Sequence, residues 1–504
     1  MTPESVAASP KTPSSKKSRS ESPPSDENSR LKSRGKSNKR KRNVKVKTLR
    51  RVRVKKEEKR NEEIIIQNNG AEKEEVVVEE EEEEEIEEEI FQWFLNLDCD
   101  VEIDINDRQL FIDQVYKLEN IENNYSNCPP EENLISASDV VNQFPTHYTV
   151  TEKFPEATVF LATPFSNYKE KYLLKIPKDD ELNPYEEIGK FMELIAISYL
   201  PEVYRLEIRN EKEPEKCIVG KYIKAYEAEN SNEMLVQIVK FNELIDKLRD
   251  NKTILNYLKD EKRTIKRSIF HELLNQTYSR TISPNVQKLR GYKAFSNFVY
   301  GELLPNFLST VYSRVGLNHK HTFIDLGSGV GNCVIQAALE YGCESYGCEI
   351  MEHASQLSKL QTIEFNKRCK VFGLKPGCVD HFLEQSFEDN LAVKKVVDRC
   401  DIILVNNYLF DSELNAKVIE LLKDIKVGTK LISLKPLVPP GYTFNQLDVE
   451  CILNRMTSKK YEYGSNSVSW TSNGGIYYIS EVQPEIVSAY FMEHAKGRAR
   501  SRKV

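Results

Sequence analysis

Residues 323 to 331 read Phe-Ile-Asp-Leu-Gly-Ser-Gly-Val-Gly, an apolar run that ends in an acid and breaks into alternating glycines. Such a run predicts a buried strand and a tight turn at a nucleotide-type cofactor. Gly327, Gly329 and Gly331 permit a sharp bend and a close backbone approach where a Cβ would collide. Residues 332–339 behind them read as a helix whose first N–H groups face the same ligand. A dinucleotide fingerprint, G-x-G-x-x-G, needs its third glycine at a position where this chain has Asn332. The pattern here is D-x-G-x-G-x-G, which suits a cofactor without a pyrophosphate whose charged amino-acid end can use Asp325. Eighteen residues past Gly331, a second apolar stretch ends in Glu349, where a carboxylate can accept from both ribose hydroxyls. Together these features favour S-adenosylmethionine over NAD. A glycine turn with only a packing role is the alternative, and the paired acids argue against it.

A third run, Val405-Asn406-Asn407-Tyr408-Leu409-Phe410, puts an asparagine at a strand end followed by aromatics. A nitrogen-directed methyltransferase needs this combination, since an amide oxygen can hold an amine while rings exclude water. A capping asparagine beside core aromatics is the competing reading.

The elements that must position these residues follow from periodicity. From 300 to 495 the pattern alternates strand and helix. Residues 322–326, 345–349, 402–406 and 430–434 read as buried parallel strands, and 352–366 and 411–423 as helices between them. Two later β-rich runs, 467–470 and 476–480, flank Asn473-Gly474-Gly475, a hairpin signal. The expected fold is therefore α/β: a class I S-adenosylmethionine-dependent methyltransferase, Rossmann-like, with a seven-stranded sheet closed by a late antiparallel hairpin. Before it, residues 146–299 read as a mixed, helix-rich subdomain, with short strands at 157–162 and 172–176 and a helical face through Met234, Leu235, Ile238, Ile245 and Leu248. His271, inside a helical pattern, reads as structural.

The 504-residue chain is 39% hydrophobic and 30% charged, too polar on average for one core throughout. Residues 1–145 are expected to be a disordered tail holding a basic block at 31–60, about half Lys or Arg, and an acidic run at 72–89. The basic block suits nuclear import, phosphate neutralisation or a plain solvated tail. The acidic run suits histone binding, a screen folded back on the basic block, or a solvated spacer. A basic tail closes the chain at 496–504. The net charge of −6 hides this segregation. Ten cysteines without a C-x-x-C pair, and no secretory leader, point to reduced thiols inside the cell and no metal. No apolar run approaches the ~18 residues of a membrane span.

In combination the motifs resemble the disruptor-of-telomeric-silencing family, the histone H3 lysine-79 methyltransferases that lack a SET domain, in its fungal form. The resemblance covers about 285 to 485. The stretch from Tyr292 through Phe295, Ser296, Tyr300 and Gly301 to Glu302 resembles the family's cofactor-covering loop, which implies that Tyr300 lies over the methionine portion. Asp325, Gly327 and Asn332 match cofactor contacts, and Glu349 the ribose contact. Phe387 matches the residue on adenine, and Ser386 stands where animal members have Asp. Asn406 to Phe410 match the Asn-Asn-Phe motif, with Tyr408 for Phe. Trp470 and Tyr477 match an aromatic pair that narrows the lysine channel. The resemblance implies catalysis by positioning through Asn406, Phe410, Trp470 and Tyr477, without a general base. It implies nucleosomes as substrate, contacts with the histone H4 tail and ubiquitinated histone H2B, DNA binding through the basic arm, a nuclear location, and roles in telomeric silencing and the DNA-damage response. Methylation of RNA or of a non-histone protein, and an inactive chromatin-binding scaffold, are the other readings.

Overall fold

The computed structural model describes residues 49–64, 76–97, 100–105, 110–111, 134–179, 181–260, 264–289, 301–444 and 447–491. Between 322 and 482, strands and helices build one seven-stranded sheet. Its strands are β1 (Thr322–Leu326), β2 (Glu344–Glu349), β3 (Val379–Leu383), β4 (Ile402–Val405), β5 (Lys430–Ser433), β6 (Met456–Tyr463) and β7 (Gly475–Val482). The helices between them are α1 (Asn332–Tyr341), α2 (Glu352–Val371), α3 (Leu391–Val397) and α4 (Ser412–Leu421). Every residue of β1 and β4 is buried, so both faces of the sheet need cover, and helical crossovers supply it.

The strand order is β3-β2-β1-β4-β5-β7-β6. β1 to β5 run parallel, and β7 runs antiparallel to both of its neighbours. The order reverses between β1 and β4, so the crevice at their carboxyl ends is where such a sheet takes a ligand. Asp325 and Asn406 stand at those two ends. The class I methyltransferase architecture expected above is therefore present, with β3 as a strand that the pattern reading did not single out.

One expectation is corrected. The partner of β7 is β6, at Met456–Tyr463, rather than 467–470. Lys459, Lys460 and Glu462 give β6 the polarity of a loop, but an edge strand needs only one apolar face, and charge there discourages further pairing. Residues 464–474 form the connection, held to the body by a bridge between Leu303 and Val468.

The preceding region is helical, with Pro184–Tyr199, Ser231–Asp250 and Ser268–Thr281 as its long helices and a hairpin of Ala157–Ala162 with Lys169–Leu174. Met234, Ile238, Ile245 and Leu248 are buried on one face of the second helix, as their spacing predicts. The region shares its core with the sheet domain: Phe191, Tyr199, Ile269 and Leu273 lie in one cluster with Ile335, Leu339, Phe365 and Phe372. Tyr199 donates to Phe372 O at 2.7 Å across that junction. A buried ionic network reinforces it. Arg280 donates to Glu187 at 2.8 Å and to Glu170 at 3.1 Å, and Arg368 pairs with Glu170 at 3.5 Å and Glu364 at 2.7 Å.

Within the N-terminal 145 residues, Leu49–Ile64 runs antiparallel to Val76–Phe91, in a register that sets Arg53 opposite Glu87, Lys55 opposite Glu85 and Lys59 opposite Glu81. Residues 31–48 of the basic block and the basic tail at 496–504 lie outside the described residues. Among the described residues, no helix is long and apolar enough to cross a membrane.

Candidate active site

The turn after β1 has the backbone its glycines predict. Gly327 and Gly331 hold φ of 86° and 87°, and Gly329 holds 55°. A side chain would be strained at each. Gly331 caps α1 in the left-handed conformation. The N–H groups of Gly327 and Ser328 both donate to Cys348 O on β2, at 2.9 and 3.0 Å, so the turn is tied to the neighbouring strand.

Two carboxylates flank it. Glu349, at the end of β2, accepts from Gly329 N at 2.8 Å and Met351 N at 2.7 Å. An ionised carboxylate has about four acceptor positions, so this clamp leaves capacity for ribose hydroxyls. Burial pushes the Glu349 carboxyl upward, and the backbone donors pull it back. Asp325 is only 3% exposed, and its Oδ1 is buried without a hydrogen-bond partner. Burial raises its carboxyl to about 7, with a further rise from the charge of Glu349, against a hydrogen bond from the Cys333 thiol. A buried, unsatisfied anionic oxygen is costly unless a donor arrives, so the position calls for a cationic ligand group.

Asn332, the first residue of α1, donates to Glu302 at 3.0 Å and accepts from Gln361 at 2.7 Å. Glu302 in turn takes Tyr278 OH at 3.2 Å, and its backbone N–H donates to Ser469 at 2.8 Å. At the end of β4, the two asparagines divide their roles. Asn407 is fully buried and accepts from Leu434 N and Lys435 N at 3.0 and 2.8 Å, which staples β4 to the segment after β5. Asn406 lines the pocket and donates its amide N–H to Gly301 O at 3.3 Å, so its amide oxygen remains available as an acceptor.

These groups converge on one cavity of about 330 Å³, in the size range of small-ligand sites. Gly301, Glu302, Asp325, Gly327, Gly329 and Asn332 line its turn side. Glu349, Ser386, Phe387, Asn406 and Phe410 line the opposite walls. Gly331 lies behind the lining, where a Cβ would stand 2.9 Å from Ser358 Oγ. Trp470 reaches the site through Gly301: a Cβ there would sit 2.7 Å from its ring. Tyr408 stacks on Trp470 with ring centres 5.5 Å apart and is 46% exposed. Tyr477 does not line the cavity. It is 1% exposed, packs on Phe307 and Tyr461, and accepts from Arg314. Tyr292, Phe295, Ser296 and Tyr300 lie outside the described residues.

Sequence reasoning did not single out Cys333, Ile350, Met351 and Leu414, which also line the cavity, or Gln361 beneath it. A usable signal existed for the last. Ser355, Ser358 and Gln361 recur every third residue along α2 and are at most 1% exposed, a polar stripe facing inward. Among the described residues, no three His, Cys, Asp or Glu side chains converge as metal ligands.

The donor set fits S-adenosylmethionine: an orphan carboxylate oxygen for an ammonium, a clamped carboxylate for a ribose, and Phe387, Ile350 and Met351 as apolar walls for a base. Fold and site together define a class I methyltransferase. A family model described as Histone methylation protein DOT1 matches residues 278–482. Relatives named "Histone-lysine N-methyltransferase, H3 lysine-79 specific" occur in Candida glabrata, 46% identical over 64% of this chain and 48% of its own, and in Eremothecium gossypii, 41% identical over 68% and 58%. One of the same name in Yarrowia lipolytica is 38% identical over 71% of this chain and 72% of its own. The chain belongs to the DOT1 histone methylation family. It spans about half the length of the first two of these relatives. Among solved structures, an RNA methyltransferase from Salinibacter ruber in complex with S-adenosyl-L-homocysteine aligns over 37% of this chain and 95% of its own, at 17% identity and TM-score 0.25. The fold assignment rests on strand order and not on that likeness.

Proposed function

We propose that the protein is a histone-lysine N-methyltransferase that transfers methyl groups from S-adenosylmethionine to lysine-79 of histone H3 in nucleosomes. The observation that carries this reading is the pairing, in one cavity, of the unsatisfied Asp325 oxygen with the Asn406 amide anchored on Gly301. Asp325, Asn332 and Glu349 hold the cofactor. When bound, the cofactor supplies a methyl group on a positively charged sulfur.

Free lysine, of pKa about 10.4, is almost wholly protonated at neutral pH and cannot attack. Phe410, Tyr408 and Trp470 remove water from the entering side chain, and desolvation disfavours its charged form. The Asn406 amide oxygen then accepts from an amine N–H and aims the nitrogen. Tyr477, held by Arg314, stiffens the aromatic wall from behind. No general base is assigned: orientation provides most of the acceleration.

The basic arm neutralises DNA phosphates on the particle. The histone H4 tail and ubiquitinated histone H2B are further partners by family resemblance, and a chromatin location in the nucleus follows from the substrate. An N-terminal segment, a helical region to 299 and the catalytic region from 300 to 495 divide these tasks; the end of the expected tail belongs to the helical region, since Ala137–Gln143 is a helix and Leu134 and Ala137 pack in its core. Labelled S-adenosylmethionine offered with nucleosomes, free histone H3 or RNA tests the assignment. Transfer to nucleosomes is expected, with much less to free histone H3. Transfer to RNA alone, or to none of the three by a folded chain, overturns it.

A further inference from the structure

Behind the cofactor turn stands a histidine that the reading above leaves unused. β1, β2 and β3 are in register such that Asp325, Gly347 and His381 lie side by side on one face of the sheet. Gly347 leaves a gap between the other two. A Cβ on it would meet His381 Nδ1 at 2.6 Å and Ser328 Oγ at 2.7 Å, so the imidazole and the turn's own hydroxyl share the vacated space. Gly331 makes similar room: its Cβ would lie 3.1 Å from the ring and 2.9 Å from Ser358 Oγ. Only glycine at 331 and 347 admits this ring.

Its hydrogen bonding fixes the tautomer. Thr362 Oγ1, on α2, lies 3.1 Å from Nε2, and with Nε2 as the donor to that hydroxyl Nδ1 is left as an acceptor. Nδ1, Ser328 Oγ and Ser358 Oγ are all buried without partners. Burial also holds the ring neutral, with its pKa pushed down to about 4 despite Asp380 beside it. Of these three orphan polar atoms around one gap, two are satisfied when the Ser328 hydroxyl donates to Nδ1, and a single bridging water would serve Ser358 Oγ as well.

We propose that His381 is a positioning residue for cofactor binding, its Nδ1 holding the Ser328 hydroxyl and thereby the shape of the glycine turn. This inference rests on the cofactor assignment above. It adds a contact made from behind the turn, by a residue that does not line the cavity.

Calorimetry with S-adenosylmethionine on the full chain tests both. Ser328→Ala and His381→Phe should each weaken binding about tenfold, the cost of one buried hydrogen bond, and the double variant should be no weaker than the worse single. His381→Asn places an amide near Nδ1 and should restore affinity, whereas His381→Gln reaches toward Nε2 and should not. Additive losses in the double variant, unchanged affinity in both singles, or equal behaviour of Asn and Gln overturns the proposal. If His381→Phe fails to fold, Ser328→Ala with the Asn and Gln pair decides. A folded wild-type chain that takes up no cofactor sinks the site assignment itself, a result separable from any behaviour of the variants.

Discussion

Asp325 carries a tension that makes it both useful and destabilising. Its carboxyl is raised to about 7 by burial and by Glu349. The folded chain therefore retains a proton there through the range in which the unfolded chain has lost it. Stability is fully present below the ordinary carboxylate range and falls as pH rises toward 7, by on the order of 4 kcal/mol in all. Asp325→Asn removes that cost, so it should raise the melting temperature at pH 8 while abolishing cofactor uptake; a lower melting temperature there would contradict it. In the native chain a cationic amino group needs the ionised form. Affinity for S-adenosylmethionine should weaken about tenfold per pH unit below ~7 and level off above it, as calorimetry across pH 5.5 to 8 would read. At this scale the sequence was legible wherever a residue stands at a strand end, as Asp325, Glu349 and Asn406 do. Ser328, Ser358, Gln361 and His381 were not, because polar residues buried behind a turn have the composition of a surface.

On the proposed substrate side, the element that matters most is the connection from β6 to β7. Its residues 464–474 carry Trp470 back to Gly301, where ring and backbone touch too closely for any side chain at 301. Gly301→Ala must push the indole away from Tyr408 and shift the carbonyl that anchors Asn406. Methyl transfer to nucleosomes should drop ~100-fold in kcat, the scale of a misplacement of about 1 Å. Trp470→Ala should do similar damage, and the two together little more. Cofactor affinity measured in parallel should change far less, and an equal loss there would place Trp470 in cofactor binding instead. The four parallel strands named from the pattern were readable because buried strands are short, apolar and punctuated by turns. β6 was not: Lys459, Lys460 and Glu462 give an edge strand the composition of a loop, with Met456 its one buried residue, and Gly474-Gly475 drew the hairpin to the wrong partner.

At the scale of the whole molecule, the proposed function asks the catalytic region to hold a large, highly charged particle. Its folded part is welded together, with one core spanning the helical region and the sheet domain and the Arg280 and Arg368 network inside it. Removing one member of that network, as in Arg280→Met, leaves buried carboxylates unpaired and should cost ~3–5 kcal/mol in denaturant unfolding. In the proposed function, grip on DNA is assigned to the N-terminal segment. About half of residues 31–60 are Lys or Arg, and each phosphate neutralised adds about −0.9 to the slope of log affinity against log salt. Deleting 31–60 should therefore flatten the slope for nucleosome binding. Deleting 76–89, the acidic strand antiparallel to Leu49–Ile64, should do the reverse, because it leaves the neighbouring basic block a larger net positive charge to set against phosphates. A salt titration of the three chains on nucleosomes separates the outcomes. A slope unchanged by the first deletion removes the arm from the mechanism, and one unchanged by the second reduces the acidic run to a spacer.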